Sequence, residues 1–381
     1  MAGRPADAAE LYATSLGGVY VLSLQIGESS RGLRVVSGLL SAGPPPATAF
    51  DRAGLLEDQG FYAYILGNLI LSRQAYEESA ALFRSIGNLS KLANVLRLWA
   101  DLERTVGHLT RSRELAEESL NIVNSLNQDY SQIFAHSCLA STLVCLGETQ
   151  LARDHFQKAT ELERHELFSG RGFSEAELKY FTGDVAGARR QTLNNRVMSE
   201  ERRVERDMAL CDSLLGLLTL HDSGDLATAG RHLDSARAYA TRSGHLEVQL
   251  RCHILAGRIE AAQEALTAAK AEFQAGIDLA DSCEFKRLGA DLRLEFAAVG
   301  IRMGELNEVI AIASSVLNWS ECVDHQYEWG AADALHLLGV ANARLGQIED
   351  ARTYLASAVT RRIGLGHRGV AETKSMLQGL A

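Results

Sequence analysis

From Ala47 to Ala381 the chain contains no proline; Pro5, Pro44, Pro45 and Pro46 all precede that span. Proline punctuates loops and strand edges and breaks helix interiors. Alternating β-branched runs between turn residues, the signal of strands, are missing as well. Together these features predict helix after helix joined by short turns. They leave Ser41–Phe50, with its three consecutive prolines, as the one hinge. Apolar residues make up 46% of the 381, enough for a continuous core.

The helices repeat. His136-Ser-Cys-Leu-Ala-Ser-Thr-Leu-Val-Cys-Leu-Gly-Glu leads on to Ala152, Phe156 and Ala159. Leu335-His-Leu-Leu-Gly-Val-Ala-Asn-Ala-Arg-Leu-Gly-Gln leads on to Ala351, Leu355 and Ala358 in the same spacing. Large residues three and four apart make one helical stripe, small ones beside them let a second helix approach, and the glycine turns the chain between the two. Such a pair leaves one edge that only the next pair can bury.

These positions resemble the tetratricopeptide repeat, a helix–turn–helix unit of about 34 residues. Registered on them, units begin near Gly60, Ala93, Ile133, Ser169, Leu210, Ala256, Ala290 and Ala332, at spacings of 33 to 46. A ninth, weaker unit starts near Ala13, with Gly27, Glu28, Gly32, Val36 and Pro44. Lys270 stands where a turn glycine belongs, and Gly300 interrupts a helix. The irregular, Ala/Leu/Arg-rich style is similar to the C-terminal repeat arrays of bacterial signal-transduction ATPases and transcriptional activators. The resemblance implies an all-α fold, a right-handed superhelical solenoid of eight to nine antiparallel helix pairs. Residues 1–46 make the weak first pair and hinge, 47–365 a continuous array, and 366–381 a capping helix with Val370, Met376, Leu377 and Leu380 as its apolar stripe.

The net charge of −10 argues against direct nucleic-acid binding, which needs a basic stripe to displace counterions. Cys138, Cys145, Cys211, Cys252, Cys283 and Cys322 form no C-x-x-C pair and read as reduced core residues. No stretch has signal-peptide character or approaches the ~20 apolar residues of a membrane span, so the expectation is a cytoplasmic protein with no membrane partner. The phosphate loop, the dinucleotide fingerprint, His-Glu-x-x-His and Gly-x-Ser-x-Gly are all missing. His325 and Glu328 share a helix face, but a lone pair of this kind reads as a surface hydrogen bond rather than a metal site. No catalytic residues, cofactor or metal are expected, and an enzyme is the less favoured class.

The resemblance also places positions 2, 5, 9 and 12 of each unit in the concave groove. That gives Tyr64 and Asn68, then Asn94, Arg97, Asp101 and Arg104, then Phe134 and Ser137. An Arg–Asp–Arg row among aromatics suits a peptide's carboxylate or carbonyl oxygens; the alternative is an intrahelical salt-bridge ladder on a solvated face. The repeats that clamp chaperone tails carry Lys where Tyr64 stands and Asn where Leu98 stands, so that ligand is not expected. A second cluster, Arg189, Arg190, Arg196, Arg202, Arg203 and Arg206, offers an anion patch. Glu200, Glu201 and Glu205 interleave with it, and a self-paired face is the competing reading. Trp99 sits at a core position. Trp319 and Trp329 flank Asn318–Glu328, for a partner or lid contact or for packing between units. These features lead to a protein-interaction or sensor module for a protein or peptide, or for a small-molecule inducer, in bacterial signalling or transcriptional regulation. The alternatives are an enzyme or small-molecule-binding protein that uses the superhelix as a cradle, and a structural scaffold.

Overall fold

The computed structural model describes Tyr12 and residues 18–41 and 48–380. The Pro44–Pro46 hinge, the start of the ninth unit and Pro44 within it lie outside these residues. A π-helical turn, Tyr20–Gln25, leads through Gly27 into α1 (Ser29–Ser41). Eight antiparallel pairs follow. They are α2 (Ala49–Ile65) with α3 (Leu69–Ser85), α4 (Leu89–Val106) with α5 (Leu109–Ser125), and α6 (Asp129–Cys145) with α7 (Thr149–Glu163). Next come α8 (Ser169–Phe181) with α9 (Val185–Glu201), α10 (Glu205–Asp222) with α11 (Leu226–Ser243), and α12 (Leu246–Ala262) with α13 (Leu266–Ser282). The last are α14 (Lys286–Met303) with α15 (Leu306–Ser320) and α16 (Glu328–Arg344) with α17 (Ile348–Leu365), closed by α18 (Val370–Gln378). No strand occurs among the described residues.

The repeat is longer and more even than its anchor residues suggest. First helices begin at 49, 89, 129, 169, 205, 246, 286 and 328, so units are 36 to 42 residues apart. Gly60 and Ala256 lie well inside their helices, which is why registering on them made the spacing uneven. In the sixth unit the left-handed turn residue is Glu264 (φ 62°). Lys270 lies instead within α13, bonded to Glu305 at 2.6 Å and Glu308 at 2.7 Å. Gly300 does not interrupt α14. A Cβ there would meet Val309 Cγ2 at 2.9 Å, so the glycine marks the close approach of α15.

Small residues on the second helices do more than make room. Ser72 and Ser112 each donate to a carbonyl twelve residues back, Gly60 O and Ala100 O, both at 2.8 Å. Ser79 and Ser119 donate to Ala53 O and Ala93 O, both at 2.7 Å. The hydroxyls thus tie the paired helices together while remaining fully bonded in the core.

The array coils back on itself about five units along. Gly67, the turn of the α2–α3 pair, lies against Leu246 and Cys283. Gly107, the turn after α4, lies against Trp319, whose ring stacks on His325 at 4.7 Å; His325 Nδ1 donates to Gly107 O at 2.7 Å. Trp329 Nε1 donates to Val144 O at 2.6 Å, and the Arg368 N–H to Phe181 O at 3.0 Å. The stretch Asn318–Glu328 therefore packs between units, across coils as well as between neighbours. Glu328 itself pairs with Arg361 at 3.0 Å. The terminal helix α18 does not bury its apolar stripe. It is held by polar contacts: the Arg362 guanidinium donates to Thr373 Oγ1 at 2.6 Å and to Asp333 at 2.6 Å.

Candidate functional site: the lumen of the first coil

The first helices of the first six units surround a cavity of about 270 Å³. Its wall repeats at the period of the array. Phe61, Asp101 and Ser141 are 40 residues apart, as are Arg97, Ser137 and Glu177, and Tyr64 and Arg104. Further along, Arg171, Arg206, His245, Glu247 and Arg251 complete the lining. Coil-to-coil closure turns an open groove into this lumen, where side chains lose much of their water and unpaired charge becomes costly.

One side of the wall has more donors than acceptors. Asp101 alone faces both Arg97 (3.6 Å) and Arg104 (3.3 Å). Arg171, its side chain 10% exposed, meets Glu163 at 3.2 Å, out of hydrogen-bond alignment. Arg171 and Arg97 sit over the same Phe134 ring, 4.1 and 5.5 Å from its centroid. Burial, with Arg97 adding to it, pushes the Arg171 guanidinium below its ordinary range despite Glu163. Nε of Arg97, Arg104 and Arg171, and Nη1 of Arg171, have no hydrogen-bond partner among the described residues. The same holds for both ring nitrogens of His245, which is 2% exposed. Burial pushes that imidazole down to about 4, so it is neutral at pH 7.

The other side is saturated. Arg251 binds Glu177 at 2.6 Å and Glu247 at 2.9 Å. Burial would raise the Glu247 carboxyl, but the facing Arg251 pulls it down to about 2. Arg206 donates through Nη2 and Nε to Asp207 Oδ1, at 2.6 and 2.8 Å. Beyond the lining, Tyr327 donates to Asp291 of α14 at 2.7 Å. Burial pushes the Cys138 thiol up, and the neighbouring Asp101 adds to this; the group stays protonated and is no nucleophile. Among the described residues no three metal-ligating side chains converge.

Of the eight groove residues read from the sequence, Tyr64, Arg97, Asp101, Arg104, Phe134 and Ser137 lie in this wall. Asn68 does not: it caps α3, accepting from the Leu71 N–H. Asn94 is outside the wall as well. It bonds Glu57 at 2.5 Å and accepts from Arg97 at 2.9 Å, steadying that guanidinium. The Arg97–Asp101–Arg104 row is a ladder and a cavity wall at once, but not a solvated face. The arginine cluster forms no single patch. Arg189 donates twice to Asp222 Oδ2, Arg196 binds Asp212 at 2.8 Å, and Arg190 lies 3.9 Å from Glu166. Arg202 covers the Phe168 ring, Arg203 occupies an exposed left-handed turn position, and Arg206 turns into the lumen.

No protein-family model matches the chain, and no curated protein matches it in sequence. Solved structures do. A Rap protein complexed with Competence and Sporulation Factor superposes with a TM-score of 0.56 at 12% identity, over 86% of this chain and 97% of that one. The fold is a tetratricopeptide-like repeat solenoid. A signal-transduction ATPase with a tetratricopeptide repeat sensor from Pyrococcus horikoshii also matches, at 13% identity and a TM-score of 0.46, over 98% of this chain and 55% of its own. So does a tetratricopeptide repeat protein from Parabacteroides merdae, at 14% identity and a TM-score of 0.35, over 86% of this chain and 98% of that one. No described helix of this solenoid is long and apolar enough to cross a membrane.

Proposed function

We propose that the solenoid is a binding module that takes a short segment of a protein or peptide partner into its lumen. The observation that carries this reading is the donor-rich wall of Arg97, Arg104, Arg171 and His245 beside the rings of Tyr64 and Phe134. Each buried donor without an acceptor costs about 1–3 kcal/mol, and an extended segment brings a row of carbonyl oxygens to meet them. Aromatic surface beside such donors supplies the apolar part of the contact. The structural likeness to a Rap protein held in complex with Competence and Sporulation Factor supports the same reading. A sensor of this kind suits cytoplasmic signalling or transcriptional regulation in bacteria, the coil-to-coil seam relaying occupancy of the lumen. A small-molecule inducer is the second reading. It is favoured by the cavity's 270 Å³, just under the ~300–1,000 Å³ of typical small-molecule sites.

Selection from a random peptide library on the immobilised protein tests the proposal. Wild type is expected to enrich a consensus, and Arg97→Glu to bind the selected peptides at least about thirtyfold more weakly. Arg190→Glu, on the outer helix α9, should bind them unchanged. Equal binding by wild type and Arg97→Glu, or no enrichment on wild type, contradicts it.

A further inference from the structure

We infer that the ligand presents an oxyanion, a carboxylate or a phosphate group, to the Arg97–Arg104–Arg171 end of the cavity; this rests on the binding reading above. Arg97 and Arg171 meet over the Phe134 ring, and a single carboxylate, Asp101, serves both Arg97 and Arg104. Arg171 is nine-tenths buried, yet two of its donor atoms have no partner among the described residues. It also shares the Phe134 ring with a second guanidinium. Like charges held this close in a partly desolvated wall repel, and an anion between them relieves both the repulsion and the unmet donors. A neutral acceptor would relieve only the second.

One further feature of the wall points the same way. Helix α8 presents its first turn, Ser169, Gly170 and Arg171, to the cavity. Phe168 supplies no cap, but Asn195 Oδ1 accepts from the Ser169 N–H at 2.6 Å. The positive end of the helix dipole faces the cavity and adds to the guanidiniums. By contrast Arg206 and Arg251 are matched by Asp207, Glu177 and Glu247, so they bring no comparable surplus of charge.

The test is thermal unfolding and calorimetric titration of the full chain with succinate and, separately, inorganic phosphate, each against sodium chloride at equal ionic strength. At least one anion is expected to stabilise the protein beyond chloride. Arg171→Gln and Arg104→Gln should each weaken its binding about tenfold or more, and Arg190→Gln should not. Whether succinate or phosphate is preferred distinguishes the two sources. Absence of any stabilisation beyond chloride overturns the inference, as does binding that survives intact in folded Arg171→Gln and Arg104→Gln. If peptide selection then still enriches uncharged sequences, the inference falls and the binding reading stands; if selection enriches nothing, the reading itself falls.

Discussion

Replacing Gly107 by alanine is expected to destabilise the protein by roughly 2–5 kcal/mol and to loosen the second coil from the first. Two costs combine. The residue sits at φ 96°, and an added Cβ would lie 2.5 Å from Trp319 Cζ2, far inside van der Waals contact. The indole cannot simply rotate away, because it stacks on His325, whose ring is tied to the Gly107 carbonyl. Gly87 is the control. Its φ is 69° with nothing within 4 Å of the Cβ position, so Gly87→Ala carries only backbone strain, roughly 1–2 kcal/mol. Denaturant unfolding and small-angle scattering check both halves: a larger loss of stability and a larger radius for Gly107→Ala. Equal losses in the two variants would mean that the seam does not hold the coils together.

Arg251→Met should cost about 3–5 kcal/mol at neutral pH, because it leaves Glu177 and Glu247 facing each other in the wall without their shared cation. The pH dependence is specific. In wild type the Glu247 carboxyl is held at about 2, below the ordinary ~4.3 of the unfolded chain. Its contribution is fully present above that ordinary value and is lost as pH falls toward 2. Without Arg251, that pull is reduced to what His245, Arg104 and Arg287 supply, so the Glu247 carboxyl moves up in the folded state and acid costs the variant less than it costs wild type. The gap between the two proteins should therefore narrow as pH falls from about 5 toward 2. A gap that stays constant over that range would show that Arg251 contributes by packing alone.

The fold was legible because its signals are local: turn glycines, stripes of large and small residues and the proline-free span each act within one helix pair. The period was harder to see, since the strongest anchors sit at different depths in their helices, Gly60 well inside α2 but Ile133 near the start of α6. Coil closure was not legible at all. Gly107 meets Trp319 across more than two hundred residues, and a turn glycine looks the same whether it faces solvent or an indole. Reading the lumen only in the first three units missed Arg171, Glu177, His245, Glu247 and Arg251. The 40-residue register was the available signal: stepping from Arg97 through Ser137 arrives at Glu177. Arg206 was grouped with the outer cluster because it is near Arg202 in sequence. The change from helix α9 to helix α10 between them sends it to the inside.

The most direct measurement is amide hydrogen–deuterium exchange of the protein with and without a peptide selected on it. The lumen account predicts slowed exchange in residues 94–106 of α4, 133–142 of α6 and 169–178 of α8, the segments that carry the donor-rich wall. Protection confined to outer second helices such as α5, α7 and α9, with these three segments unchanged, would contradict it.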